Sequence, residues 1–147
     1  MQAIRVFRLE PDITAKTLLA FRKDAGWSNT DMAALQGGLQ PGSRVQWATA
    51  RFNQKLVGIA RLELALPRFC HVSDFIILRT HRGRGAGAWL VAEIERHCAG
   101  LGIPRVVLQP NPDSRAFYEK LRFVADPLVP GFMKKEIGPV QRTLLPF

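Results

Sequence analysis

Cysteine is almost missing from this 147-residue chain: there are two, Cys70 and Cys98. Two thiols cannot build a disulfide scaffold, so stability must come from a packed core, and both are expected to be buried and reduced. Histidine is as scarce, at 3, and no His/Cys cluster has zinc spacing, so no metal is expected. No stretch approaches the roughly 18 uncharged apolar residues of a membrane-spanning helix. The first ten residues, MQAIRVFRLE, carry charges where a secretory signal would be apolar. A cytoplasmic protein that does not enter the membrane is therefore expected. Acidic residues are also in short supply, 12 against 21 lysines and arginines, which leaves a net charge of +9. That surplus favours an anionic partner, whether nucleic acid, acidic lipid or a phosphorylated cofactor, without choosing among them. Internal repeats and low-complexity tracts are absent.

What is there is a globular composition, 47% apolar and 22% charged. The length suits one domain, residues 1–147, around one core. Residues 3–9 predict a short strand. Asp12 or Thr14 can cap a helix to about Asp24, with Ile13, Leu18, Leu19 and Phe21 on its apolar face and Gly26 as its stop. Thr30 and Asp31 open a second short helix, ended by Gly37 and Gly38. SRVQWATARF (43–52) and LVGIARLELA (56–65) read as a hairpin with the three-residue loop Asn53-Gln54-Lys55, and CHVSDFIIL (70–78) as a further strand. A helix from about Gly85 to His97, a strand at Arg105–Gln109 and a helix at Ser114–Leu121 follow. Strands at Phe123–Ala125 and Phe132–Ile137 come last, and the tail from Gly138 has no assignment. The order β-α-α-β-β-β-α-β-α-β-β describes an α+β fold, a mixed sheet with helices on both faces rather than a doubly wound parallel sheet.

The most informative stretch is HRGRGAGAWL (81–90), a glycine loop between a strand and a helix. Free N–H groups at a helix start, helped by the helix dipole, make an anion site, and glycine lets the backbone approach a phosphate without a Cβ in the way. Arg82 and Arg84 add charge at its rim. A nucleotide P-loop is excluded, because no lysine and hydroxyl follow Gly87. The dinucleotide fingerprint G-x-G-x-x-G/A matches at Gly83, Gly85 and Ala88, but the place of its acidic partner holds Leu108, Gln109 and Pro110. A third pattern, R/Q-x-x-G-x-G/A, is met by Arg82, Gly85 and Gly87.

With that pattern, SDFIILRTHRGRGAGAWL resembles the coenzyme A loop of the GNAT superfamily of N-acetyltransferases, and NPDSRAFYEKLRF (111–123) resembles its second signature, in order and at the right separation. The resemblance covers about residues 70–125. It implies a GNAT fold, a mixed and mostly antiparallel sheet of about six to seven strands with about four helices. One departure is Arg122, which stands where the family usually has glycine; either Arg122 takes a strained φ or the turn differs.

The resemblance further implies acetyl transfer from acetyl-CoA, as co-substrate, to a primary amine. Amides of Arg82, Gly83, Arg84, Gly85, Ala86, Gly87 and Ala88 would hold the diphosphate. Backbone groups of Ile76, Ile77 and Leu78 would pair with the pantetheine arm, as would Asn111. The Ile77 N–H is the expected donor to the thioester carbonyl. Tyr118, the chain's one tyrosine, is positioned by the second signature as the general acid for the departing thiolate. An incoming lysine-like amine must lose a proton, which at neutral pH costs on the order of 4–5 kcal/mol. Asp74 is the first candidate base, with Glu63 and His71 as alternatives, and Trp27 is the candidate wall of the acceptor pocket. A small amine, an amino acid or a protein N-terminus all remain open as acceptors. The alternative is a GNAT-fold module that binds acyl-CoA for sensing. Nucleic acid is disfavoured, since no aromatics interleave the basic residues, and the apolar tail QRTLLPF (141–147) makes a homodimer possible.

Overall fold

A computed structural model describes residues 4–27 and 43–138. The second expected helix, at 30–38, and the tail QRTLLPF lie outside the described residues. Seven strands form one sheet: β1 Arg5–Glu10, β2 Arg44–Phe52, β3 Lys55–Ala65, β4 Phe69–Ile77, β5 Arg105–Leu108, β6 Val124–Ala125 and β7 Met133–Glu136, in spatial order β1-β2-β3-β4-β5-β7-β6. Only β4 and β5 run parallel; every other pairing is antiparallel. Three α-helices appear among the described residues, α1 Ala15–Asp24, α2 Ala86–Gly100 and α3 Arg115–Lys120. None of them is long and apolar enough to cross a membrane.

Strand alternation divides the apolar residues between two faces. Trp47, Ile59 and Ile76 point to one face, where Leu18 and Phe21 of α1 cover them. Ala48, Leu62, Cys70, Val72 and Ile77 point to the other, under Leu90, Val91, Ile94 and Cys98 of α2. The expected α+β architecture, helices on both faces of a mixed sheet, is what these residues build.

Local chemistry explains the boundaries. The Thr14 hydroxyl accepts from the Thr17 N–H at 3.1 Å and caps α1. Arg22 and Lys23 sit in its last turn, where the dipole favours cations, and Gly26 turns the chain away at φ +77°. Leu19, expected on the apolar face, is 41% exposed; the stripe is narrower than the sequence implies. The β2–β3 connection corrects the three-residue expectation. Phe52 pairs with Lys55, and Asn53 and Gln54 both have positive φ, 50° and 72°, so the turn has two residues and the twist that matches a hairpin.

Arg122 takes the strained option, at φ +75°. It sits just past α3, where the Phe123 N–H reaches back to the Tyr118 carbonyl at 3.0 Å, a helix end that ordinarily employs glycine. A left-handed non-glycine residue costs about 1–2 kcal/mol, and glycine's extra unfolded-state freedom returns about 0.5–1. Arg122→Gly is therefore expected to stabilise the fold by about 0.5–1 kcal/mol. Urea unfolding checks this, as a higher midpoint at unchanged slope.

Candidate active site

The site begins where two strands part. β4 follows β3 to its end, but it meets β5 only from Cys70 opposite Val106 to Val72 opposite Leu108. β5 stops at Leu108, and Pro110, lacking an N–H, cannot extend the ladder. β4 continues without β5 to Ile77. The resulting cleft has a volume of about 440 Å³, with Ser73 to Ile77 on one wall and Gln109, Asn111, Phe117 and Tyr118 on the other.

Register decides which backbone groups face the cleft. Gly58 stands opposite Ile77, and the neighbouring Leu78 N–H donates to the Val57 carbonyl at 2.9 Å. Bonding direction alternates along an antiparallel strand, so Ile77 turns its own N–H and C=O away from β3, into the cleft. Its carbonyl accepts from Arg82 Nε at 2.9 Å, which leaves the N–H as the group directed at a ligand. Leu78 was expected to offer backbone groups too and does not: its carbonyl accepts from the His81 N–H at 2.9 Å, so both groups are committed. Ile76 edges the cleft, but it is paired with Ile59 of β3.

The glycine loop closes the cleft's end. Gly83 and Gly85 have φ +74° and +82°, and a Cβ on either would meet nothing within 4 Å, so they serve backbone turning and leave an open face. Gly87 serves packing instead. A Cβ there would lie 3.0 Å from the Phe117 ring, so glycine lets α2 close against α3. The amides of Ala86, Gly87 and Ala88 form the first turn of the 15-residue α2 and have no acceptor within it. Together with the dipole they suit a phosphorylated group. Arg82 ties the loop to β4 through Ile77, and Arg84 stays exposed at the rim.

Tyr118 lines the cleft at 5% exposure, its ring against Phe75, Phe117 and Phe123 at centroid distances of 6.1, 4.9 and 5.5 Å. Burial pushes the phenol's pKa well above its ordinary value, so it keeps its proton at every physiological pH. Asn111 lines the same wall, and its backbone carbonyl accepts from the Ser114 N–H at 2.9 Å. Trp27 is half-buried against the α1 cluster, also on the cleft wall, and its backbone N–H donates to the Arg22 carbonyl at 3.0 Å.

Asp74 reaches the cleft as expected, with both carboxylate oxygens already bonded to Arg22. Arg22 Nε donates to its Oδ1 and Arg22 Nη2 to its Oδ2, each at 2.8 Å, with both side chains at most 5% exposed. Both of its carboxylate oxygens are thus occupied by the guanidinium. Of the alternatives, Glu63 accepts from the Ser43 hydroxyl at 2.8 Å and lies 3.8 Å from Arg61 Nη1 and 3.9 Å from His71 Nδ1. Neither Glu63 nor His71 is among the residues walling the cleft. Sequence reasoning missed Arg22, and it missed the β-bulge at Asp74. The signal for the bulge was present: Ser73 and Asp74 are consecutive polar residues inside an alternating strand.

Burial lowers the pKa of His71 below its ordinary 6.5, outweighing the neighbouring Glu63, and lowers that of His97, whose Nε2 lies 3.1 Å from Gln46 Oε1. The unfolded chain thus binds protons more readily than the folded one. Stability from these groups is present above about pH 6.5 and is lost as pH falls through the depressed folded values. A thermal-melt series from pH 7 to 5 is expected to decline, and His71→Gln to flatten that decline.

Residues 13–123 match the family described as the acetyltransferase (GNAT) family. Over 57 residues the chain is 35% identical to glucosamine 6-phosphate N-acetyltransferase 1 of Oryza sativa subsp. japonica, a match spanning 39% of this chain and 34% of that protein. Among solved structures, the ribosomal-protein-S18-alanine N-acetyltransferase of Escherichia coli superposes with a TM-score of 0.66 at 17% identity, over 92% of this chain and 95% of that one. An N-acetylglutamate synthase from Neisseria gonorrhoeae, complexed with coenzyme A and N-acetyl-glutamate, superposes with a TM-score of 0.66 at 14% identity, over 93% of this chain and 36% of that one. At these identities the two structures speak to the fold alone.

Proposed function

The chain belongs to the acetyltransferase (GNAT) family, and from that premise we propose that it moves the acetyl group of acetyl-CoA to a primary amine by direct attack on the thioester. The observation that carries this reading is the junction of three features: β4 parts from β5, the glycine loop closes one end of the gap, and a buried phenol stands in its wall. The residues fit a phosphorylated thioester. The α2 amides, with the open faces of Gly83 and Gly85, would take the diphosphate. The arm would lie along β4, and the Ile77 N–H would meet the thioester carbonyl and the charge that grows on it.

Tyr118 would then face the departing sulfur. A thiol of pKa roughly 8.5 leaves as thiolate, and the phenol, kept protonated by burial, donates a hydrogen bond to it. Complete transfer of the phenolic proton would be uphill. The amine nitrogen, acidified as it acylates, supplies the proton that finally settles on sulfur. With Asp74 held by Arg22, we assign removal of the amine's first proton to water at the mouth of the cleft, near Trp27 and Ser73.

Two measurements test the proposal. Acetyl-CoA at 100 times its Kd is expected to stabilise the folded chain by about 2.7 kcal/mol, seen as a higher melting temperature. A panel of small amines, amino acids and peptide N-termini is then screened for thiol release from acetyl-CoA. Binding with no release for any amine would favour a sensing module; absence of both would refute the reading.

A further inference from the structure

Strand β4 holds one residue more than its partner. Ser73 stands opposite Arg61 and Ile76 opposite Ile59, so Asp74 and Phe75 together face Ala60. This bulge changes which side chains and amides point where. Before it, Cys70 and Val72 face α2; after it, Phe75 and Ile77 do. Without the extra residue the alternation would carry Ile76, not Ile77, to the cleft-facing position. The bulge therefore selects the amide that meets a ligand.

Its geometry needs holding. Asp74 sits at φ +47°, a left-handed conformation that aspartate tolerates but does not favour. Arg22 reaches across from α1 and grips both carboxylate oxygens in a two-bonded fork, with both side chains shielded from water. A second link runs the opposite way, from the turn just past β4 to the last residue of α1. The Arg79 N–H donates to Asp24 Oδ2 at 2.9 Å and Arg79 Nε donates to the Asp24 carbonyl. The two links bracket residues 75–78, the segment that contains the cleft-facing amide. Buried ion pairs seldom stabilise more than apolar residues of the same volume would, so stability alone does not account for one at this position.

We propose that Arg22 and Asp74 are positioning residues: their fork sets the β4 bulge and so aims the Ile77 N–H at the thioester carbonyl. The proposal deepens the acetyltransferase reading and rests on it. Neither residue exchanges a proton with substrate; both act through the strand. The diphosphate grip lies in a different segment, so losing the fork should misalign the reacting carbonyl while leaving affinity for coenzyme A almost unchanged. An error of about 1 Å at a reacting centre costs on the order of 100-fold in rate.

The test is the double variant Arg22→Met/Asp74→Asn. It removes both charges of the fork together, and asparagine tolerates a left-handed backbone as aspartate does. The expected result is a calorimetric Kd for coenzyme A within about threefold of wild type and a kcat, on the amine that wild type acetylates fastest, lowered at least about 10-fold. Spectra of ¹⁵N-isoleucine-labelled protein should show the Ile77 amide displaced before any ligand is added. Wild-type kcat, an unmoved Ile77 amide, or a Kd weakened as much as kcat would each overturn the proposal. Asp74→Gly separates fork from backbone, since glycine accepts the φ but cannot bind Arg22; full activity there would also overturn it. If the double variant does not fold, Arg22→Lys decides, because it keeps the charge and loses the fork: a lowered kcat is expected, and an unchanged one overturns the proposal. Failure of the acetyltransferase reading shows separately, as wild-type protein that neither binds coenzyme A nor releases thiol.

Discussion

Tyr118→Phe is expected to leave coenzyme A binding intact and to lower acetyl transfer roughly 100-fold. The substitution removes one oxygen and keeps the ring, so the contacts with Phe75, Phe117 and Phe123 that fix α3 against the cleft survive. What would be lost, on the proposed mechanism, is the donor to the leaving sulfur. On the proposed reading the loop amides would supply most of the affinity for coenzyme A, and this substitution does not touch them, so the thermal shift with coenzyme A should match wild type while kcat falls. The pH dependence separates this role from a packing role. Because burial holds the phenol protonated far into the alkaline range, wild-type kcat/KM should rise with pH as the amine deprotonates, with no alkaline fall from Tyr118. The variant should show the same shape at a lower level. A variant as fast as wild type would remove Tyr118 from the mechanism.

Gly85→Val is expected to abolish measurable coenzyme A binding at concentrations that saturate wild type. Gly85 caps α2 at φ +82°, a conformation in which a β-branched residue is a severe outlier. Nothing lies within 4 Å of an added Cβ, so the effect is not a collision inside the protein. The cost is backbone strain of about 1–2 kcal/mol, and the loop can relieve it only by turning its amides elsewhere. Any side chain that remained would project into the open face proposed for the diphosphate. Gly100→Ala is the control. It sits at the other end of α2, also with open space around it, and the replacement should add about 0.5–1 kcal/mol of stability with no change in binding. Calorimetric titration of both variants checks the pair. Wild-type affinity in Gly85→Val would move the anion site away from this loop.

Both predictions rest on segments whose local geometry is legible in the sequence. A cap, a left-handed glycine and the free amides of a first helical turn depend on residues within four positions of one another, so HRGRGAGAWL states its own geometry. The helix around Tyr118 is local in the same way, whereas at Arg122 the missing family glycine left two options open and the structure chose the positive φ. Where alternation carried the reading, it held for strand identity and failed at details that depend on pairing. The β2–β3 loop is one residue shorter than expected because Lys55 joins the ladder. Leu78 was counted with its neighbours, yet its amide belongs to Val57.

The sequence by itself determined the class of fold and the segment suited to a phosphorylated ligand, because these follow from periodicity and short-range backbone chemistry, while the family resemblance rests on two motifs in order at the right separation. Only the tertiary structure decided which amide faces the cleft, where β5 releases β4, and that Asp74 is held in a two-bonded fork by Arg22. Arg22 and Asp74 are 52 positions apart. Nothing in the neighbourhood of either names the other, and their meeting is set by how α1 packs across the sheet, a product of many distant contacts at once.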